Sequence, residues 1–144
     1  MADRFYGTVA LGGQITQEQY ARCLELLDPC LEMDGELDDD GTASFHECVK
    51  EDFADLVQYC EEHKIAMMLQ WDAKWEFGSY VEYWIDGKYQ QFNTDSSGCI
   101  VVSVSDLKAQ SNEFPEMTIT HYVDAMDIPE FPELLISTHK DSNR

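Results

Sequence analysis

Two segments of the chain carry apolar residues at the three- and four-residue spacing of an amphipathic helix. The first begins after Thr16, which forms a capping-box pattern with Gln19, and Pro29 predicts its end near Asp28. Its apolar face consists of Tyr20, Cys23, Leu24, Leu27 and Leu31. The second, over residues 51–64, presents Phe53, Leu56, Val57 and Cys60. We therefore predict two helices, each with one face suited to packing on a sheet.

Short apolar or alternating segments, separated by turn residues, fill most of the remaining chain and are typical of β-strands. Asp86 and Gly87 form a strong two-residue hairpin signal between two of these segments. The predicted strands cover residues 4–11, ended by Gly12 and Gly13, then 42–49, 65–71, 74–85 and 88–93. Residues 99–105 extend this antiparallel meander, and residues 117–123 are the candidate last strand.

Two further segments have weaker patterns. Ser105 and Asp106 are suitable caps for a short helix, and the two prolines within residues 128–136 predict an irregular segment or a short helix. Together the elements predict an α+β fold in one domain over residues 1–144. Its core is a mostly antiparallel sheet of about five strands with two amphipathic helices on one face.

The net charge indicates the class of partner more directly than any sequence motif does. The 144 residues include 29 Asp and Glu against nine Lys and Arg, a net charge of -20, yet 44% of the residues are hydrophobic. That apolar fraction predicts folding in spite of the charge. A surface of this sign repels nucleic acid and anionic lipid, and it attracts basic protein surfaces. We therefore expect a protein partner, with no direct binding to nucleic acid or membrane.

Localisation follows from three further observations. The longest apolar runs, such as residues 65–69, are far shorter than the roughly 18 residues that suggest a membrane span. The first residues lack the layout of a signal peptide, and the five cysteines form an odd set without framework spacing. We expect reduced thiols and a cytoplasmic protein.

The negative charge is concentrated in one tract. Residues 25–62 contain fourteen acids and a single cation, Lys50. We expect this tract to complement the charge of a basic partner. The predicted partner-binding acids are Glu32, Asp34, Glu36, Asp38, Asp39, Asp40, Asp52, Asp55, Glu61 and Glu62.

Six aromatic residues cluster between Trp71 and Trp84. Strand alternation places half of such side chains inward. If Val81, Tyr83 and Ile85 point inward, Tyr80 and Trp84 point outward. We predict that these two rings anchor the partner, because exposed Tyr and Trp are typical hot-spot residues.

Residues 36–47 also resemble an EF-hand calcium loop. Asp38 and Asp40 occupy its third and fifth positions, Gly41 the sixth and Glu47 the twelfth. Glu36 stands where a shorter Asp normally fits, and the sequence contains no second loop of this kind. Because of these departures, we expect a solvated acidic turn. A calcium-responsive binding module is the alternative function.

Other candidate chemistry has simpler explanations. His46, Cys48, Cys60 and His63 resemble zinc-ligand pairs, but Cys60 lies on the apolar face of its helix. The four histidines have no nucleophile motif around them, and Gly12-Gly13 lacks the rest of a phosphate-binding fingerprint. We expect no metal, no cofactor and no enzymatic activity.

Residues 51–87 resemble a pattern in small bacterial, plasmid and phage proteins: an acidic helix ending in Glu-His, a strand, and then Asp-Ala-Lys-aromatic-Glu-aromatic. The resemblance implies an origin in a mobile element. In composition the chain is similar to acidic anti-restriction and anti-CRISPR inhibitors, which imitate DNA or occlude a nucleic-acid site.

The sequence therefore predicts a non-enzymatic, phage- or plasmid-type inhibitor that engages a nucleic-acid-binding defence complex through its basic surface. Two other interpretations stay open. The acidity could serve only the solubility of a housekeeping protein, and the chain could form a homodimer.

Overall fold

A computed structural model of the chain describes residues 5–30, 37–38, 40–74 and 78–137. Its sheet has the strand order β2-β1-β3-β4-β5, and β6 runs parallel to the end of β1. The other pairings are antiparallel. The strands are β1 (Phe5–Ile15), β2 (Thr42–Cys48), β3 (Ala66–Trp71), β4 (Tyr80–Ile85), β5 (Lys88–Asn93) and β6 (Leu134–Ile136). The predicted α+β class is confirmed.

Four helices accompany the sheet. They are α1 (Gln17–Leu27), α2 (Ala54–His63), α3 (Val104–Glu113) and α4 (Ile119–Met126), with 3-10 turns at Asp28–Cys30 and Lys50–Phe53. The capping box of α1 is confirmed, since Gln19 N donates to Thr16 Oγ1 and Thr16 N to Gln19 Oε1, both at 3.1 Å. No helix in these described ranges combines the length and the apolar character needed to cross a membrane.

One face of the sheet carries the main core. Helix α1 buries Cys23 and Leu27 there, and α2 buries Leu56 and Cys60. Beneath them, the ring of Trp71 lies 5.0 Å from that of Phe45 and 5.8 Å from that of Phe53, in edge contacts. Edge-to-face packing of aromatic rings adds to the stabilisation from buried area. This cluster holds α2 over the centre of the sheet.

Two glycines illustrate local requirements. In the confirmed β4–β5 hairpin, Asp86 and Gly87 have φ angles of 51° and 77°, as a type I′ turn requires. In β1, a Cβ atom on Gly7 would lie 2.0 Å from the carbonyl oxygen of Gln70 and 2.5 Å from the ring of Phe45. Glycine at position 7 therefore allows β1 to pass beneath the aromatic cluster.

The C-terminal third differs from the prediction. Residues 117–123 are not a strand, because α4 begins at Ile119. Thr118 is its N-cap residue, and Thr118 Oγ1 accepts a hydrogen bond from His121 N at 3.1 Å. Alternating Thr, Ile and Val favoured a strand, but Ile119, Tyr122, Val123 and Met126 also share one helical face. Residues 99–105 are not a strand either, because only Ile100 pairs, with Thr94, and α3 starts at Val104.

The end of β1 also corrects the prediction. The strand does not stop at Gly12 and Gly13 but continues to Ile15, where β6 pairs with it. A Cβ atom on Gly12 would lie 2.2 Å from the carbonyl oxygen of Pro132. The glycine therefore allows the C-terminal segment to pack closely against the strand.

Candidate partner-binding surface

The predicted acids that fall in the described residues are all exposed. They are Asp38, Asp40, Asp52, Asp55, Glu61 and Glu62, joined by Glu47 and Glu51. The register pairs Thr42 with Ala10 and Ala66 with Gly12, so the loop before β2 and the end of α2 lie at the same end of the sheet. Glu47 lies at the opposite end of β2, and the other acids follow along α2. We call the eight residues, which span this length of the domain, the acidic face. Four other predicted acids, Glu32, Asp34, Glu36 and Asp39, lie outside the described residues.

The loop before β2 is held by its own hydrogen bonds. Asp40 Oδ1 accepts from Thr42 Oγ1 at 2.6 Å and from Thr42 N at 3.2 Å, and Leu11 N donates to the Gly41 carbonyl at 3.0 Å. The hydrogen bond from the Thr42 hydroxyl lowers the pKa of Asp40, so the carboxylate is ionised at neutral pH. The loop thus presents fixed negative charge at the edge of the sheet.

The same loop does not fold as an EF-hand. Thr42–Cys48 is an extended strand, in which five residues span about 16 Å. Glu47 therefore lies too far from Asp38 and Asp40 to share one ion with them, since calcium ligands lie 2.3–2.6 Å from the metal. Within the described residues, no group of three or more His, Cys, Asp or Glu side chains is arranged to hold a metal.

The four residues that resemble zinc ligands, His46, Cys48, Cys60 and His63, each contact a different neighbouring residue. The thiol of Cys60 pairs with that of Cys23, and Cys48 Sγ lies 3.7 Å from the carbonyl oxygen of Cys30. His46 packs against Tyr6 with ring centroids 4.3 Å apart, and His63 packs against Tyr59 at 4.2 Å. The two cysteines are core residues, as Cys60's place on an apolar helix face suggested.

The predicted orientation of β4 is wrong. Trp84 is only 7% exposed, and Tyr80 is half-buried with its ring stacked on Trp71 at 6.0 Å. The register with β3 places Trp84 opposite Met67 on the face that α2 covers. Tyr83 lies on the other face, where its ring centroid is 6.3 Å from that of Phe131. Trp84 is therefore not an exposed anchor, although its edge reaches a groove.

Glu82 was not predicted as a functional residue from the sequence. It lies in β4 among apolar and aromatic residues, and its side chain is fully buried. Its Oε1 accepts from Trp71 Nε1 at 2.7 Å, and its Oε2 accepts from Tyr89 Oη at 2.5 Å and from Lys50 Nζ at 2.8 Å. Burial and the bond to Glu82 raise the pKa of Tyr89 to about 12, and the same carboxylate raises the pKa of Lys50. An acid amid apolar strand residues was the available signal.

A groove of about 500 Å³ opens beside this ion pair. We call it the α2 groove, because one wall is the outer side of α2 and its preceding turn, and the other is formed by β4 and β5. It is lined by Lys50, Glu51, Ala54, Val57, Gln58, Glu61, Trp84 and Tyr89.

The exposed apolar residues of the C-terminal third were also not predicted. Helices α3 and α4 bury no residue, and several large apolar side chains in the C-terminal third are 38% to 76% exposed. They are Val101, Val102, Val104, Phe114, Ile119, Val123, Ile128 and Leu135. We call them the C-terminal apolar residues. Ile119 and Val123 share one face of α4, and this face was not predicted because residues 117–123 were assigned to a strand.

Comparison with protein families, curated proteins and solved structures finds no match for this chain.

Proposed function

We propose that this protein is a non-enzymatic binding protein whose acidic face engages a basic surface of a protein partner. One observation carries the proposal. Among described residues 38–62, eight acids are exposed, and the only Lys or Arg, Lys50, is neutralised from beneath by the buried carboxylate of Glu82. Lys50 therefore does not offset the charge of this face. Arg22, which lines a depression with Asp55 and Glu62, offsets only part of it, and the surplus attracts a basic surface.

The class of partner follows from what a basic surface normally binds. Duplex DNA carries one negative charge per about 1.7 Å of axis, so an enzyme that holds it presents a basic groove. A folded array of carboxylates competes for that groove. We infer a phage- or plasmid-type inhibitor of a nucleic-acid-binding defence complex, which acts in the cytoplasm by DNA mimicry or occlusion. The net charge of -20 and the resemblance of residues 51–87 support this inference.

The C-terminal apolar residues favour a protein partner over a small ion. Ile119 and Val123 lie one turn apart on α4, and adjacent exposed apolar side chains commonly mark protein–protein contacts. A second copy of the chain is the less favourable partner for them, because two chains of charge -20 repel each other. A protein whose basic residues contact the acidic face and whose apolar residues contact the C-terminal apolar residues satisfies both.

Competition with DNA tests the proposal. A purified restriction enzyme or CRISPR surveillance complex is loaded with a fluorescein-labelled DNA duplex, and displacement is followed by anisotropy as the protein is added. We expect displacement in 50 mM salt. We also expect direct binding of the protein to the DNA-free complex to weaken between 50 and 200 mM salt, because salt screens exposed charges. Simultaneous binding of DNA and the protein to the complex would contradict occlusion.

A further inference from the structure

The α2 groove combines apolar walls with an acidic rim. On one side, the rings of Trp84 and Tyr89 lie 5.2 Å apart between centroids. On the other side, Ala54 and Val57 present aliphatic surface from α2. Glu51, Gln58 and Glu61 complete the lining. Such a site suits a ligand that is apolar along its length and cationic at its end.

The one cation in the groove does not oppose such a ligand. Lys50 Nζ bonds to the buried Glu82 carboxylate, which Trp71 and Tyr89 also hold. The carboxylate of Glu82 offsets the charge of Lys50, although the Lys50 side chain is 57% exposed. The field at the mouth of the groove is then set by Glu51 and Glu61, which are both exposed.

The wall already accepts a cation over an aromatic ring. Lys50 Nζ lies 5.2 Å from the centroid of Tyr89, within the range of a cation–π contact. This internal contact also fixes the ring of Tyr89, whose hydroxyl is held by Glu82. The aromatic side of the groove is thus preorganised, which lowers the ordering cost of binding.

We propose that the α2 groove receives an arginine side chain of the basic partner, an inference that rests on the proposed function. The aliphatic part of arginine packs against Ala54 and Val57, and its planar guanidinium reaches the carboxylate of Glu61 or Glu51. Arginine suits the groove better than lysine because its head group is more weakly hydrated, stacks on aromatic rings and binds carboxylates through two parallel hydrogen bonds.

The probe for this site is N-acetyl-arginine-N-methylamide, titrated into the ¹⁵N-labelled protein and followed by NMR. We expect saturable shifts of the Gln58 and Tyr89 amides and of the Trp84 indole. The lysine counterpart should bind several-fold more weakly. Equal affinity for the two probes, or shifts that spread evenly over the acidic face, would overturn the assignment.

Two variants separate a site from general attraction. Glu51→Gln with Glu61→Gln removes the acidic rim and should weaken arginine binding by about threefold to tenfold. Asp55→Asn with Glu62→Gln removes the same charge from the other side of α2, where both residues line a different depression with Arg22 and Tyr59. That pair should change the affinity by less than about twofold. Equal weakening by both pairs would overturn the groove.

Ala54→Phe gives an uncharged test. Ala54 is exposed and lines the groove, so a larger ring should fill the groove while net charge and helix α2 are unchanged. We expect loss of the arginine-induced shifts with an unaltered circular dichroism spectrum. If partner binding survives Ala54→Phe but is lost on reversing acids outside the groove, the groove inference fails and the proposed function stands. If neither change affects the partner, the proposed function fails.

Discussion

Replacing Trp71 by alanine should lower the free energy of unfolding by about 3–5 kcal/mol, the usual cost of removing a large buried aromatic side chain. Trp71 is 1% exposed, contacts the rings of Phe45 and Phe53, and donates to Glu82. Removing it creates a cavity and leaves a buried carboxylate oxygen without its donor. Because domains of this size are stable by only about 5–15 kcal/mol, much of the total would be lost.

Urea denaturation followed by circular dichroism measures this effect, with Trp71→Phe as the control. Phenylalanine keeps most of the ring packing and loses the hydrogen bond to Glu82, so it should cost about 1–3 kcal/mol. A loss below about 1 kcal/mol for Trp71→Ala would show that the aromatic cluster does not hold α2 on the sheet.

The second large effect is expected at Gly7. In Gly7→Ala, the new methyl group would lie 2.0 Å from the Gln70 carbonyl oxygen and 2.5 Å from the Phe45 ring. Strands β1 and β3 must separate, or Phe45 must leave its position. We expect a loss of about 3 kcal/mol, at the upper end of the cost of overpacking.

Gly78→Ala is the matched control for this measurement. Gly78 is exposed, and a Cβ atom there meets no atom within 4 Å. Its replacement should leave stability unchanged or raise it by about 0.4–1 kcal/mol through the entropy of the unfolded chain. Equal midpoints of urea denaturation for the two variants would contradict the close approach of β1 to β3.

The parts of the fold that were predicted correctly depend on neighbouring residues. Thr16 and Gln19 specify the start of α1, the spacing of Leu56 and Cys60 specifies the buried face of α2, and Asp86-Gly87 specifies the hairpin. Each signal lies within one or two turns of chain. The sequence also located the acidic tract, because the exposed positions of strongly charged residues follow from solvation alone.

The parts that were missed depend on residues distant in sequence. The register of β4 against β3 turned Trp84 inward. The pairing of Lys50 with Glu82 offset the one cation among described residues 38–62. Strand β6 pairs with β1 although the two strands lie near opposite ends of the sequence. Residues 117–123 satisfied both a strand and a helix pattern, and only the cap at Thr118 and the surrounding structure decide between them.

If the acidic face, rather than net charge alone, binds the partner, reversing acids of this face should weaken binding more than reversing acids elsewhere. Two triple variants change the net charge equally, from -20 to -14. The first reverses acids of the acidic face, in Asp38→Lys, Asp55→Lys and Glu62→Lys, and the second reverses exposed acids near α3 and α4, in Glu113→Lys, Glu116→Lys and Asp124→Lys. None of these six residues lines the α2 groove.

The most direct measurement is the affinity of the purified partner complex for the protein and for these two variants, by biolayer interferometry at 50 and 200 mM salt. We expect a loss of about tenfold or more for the first variant and a change of less than about threefold for the second, since interfacial charges contribute mainly where they face opposite charges. Equal losses in the two variants would contradict this expectation.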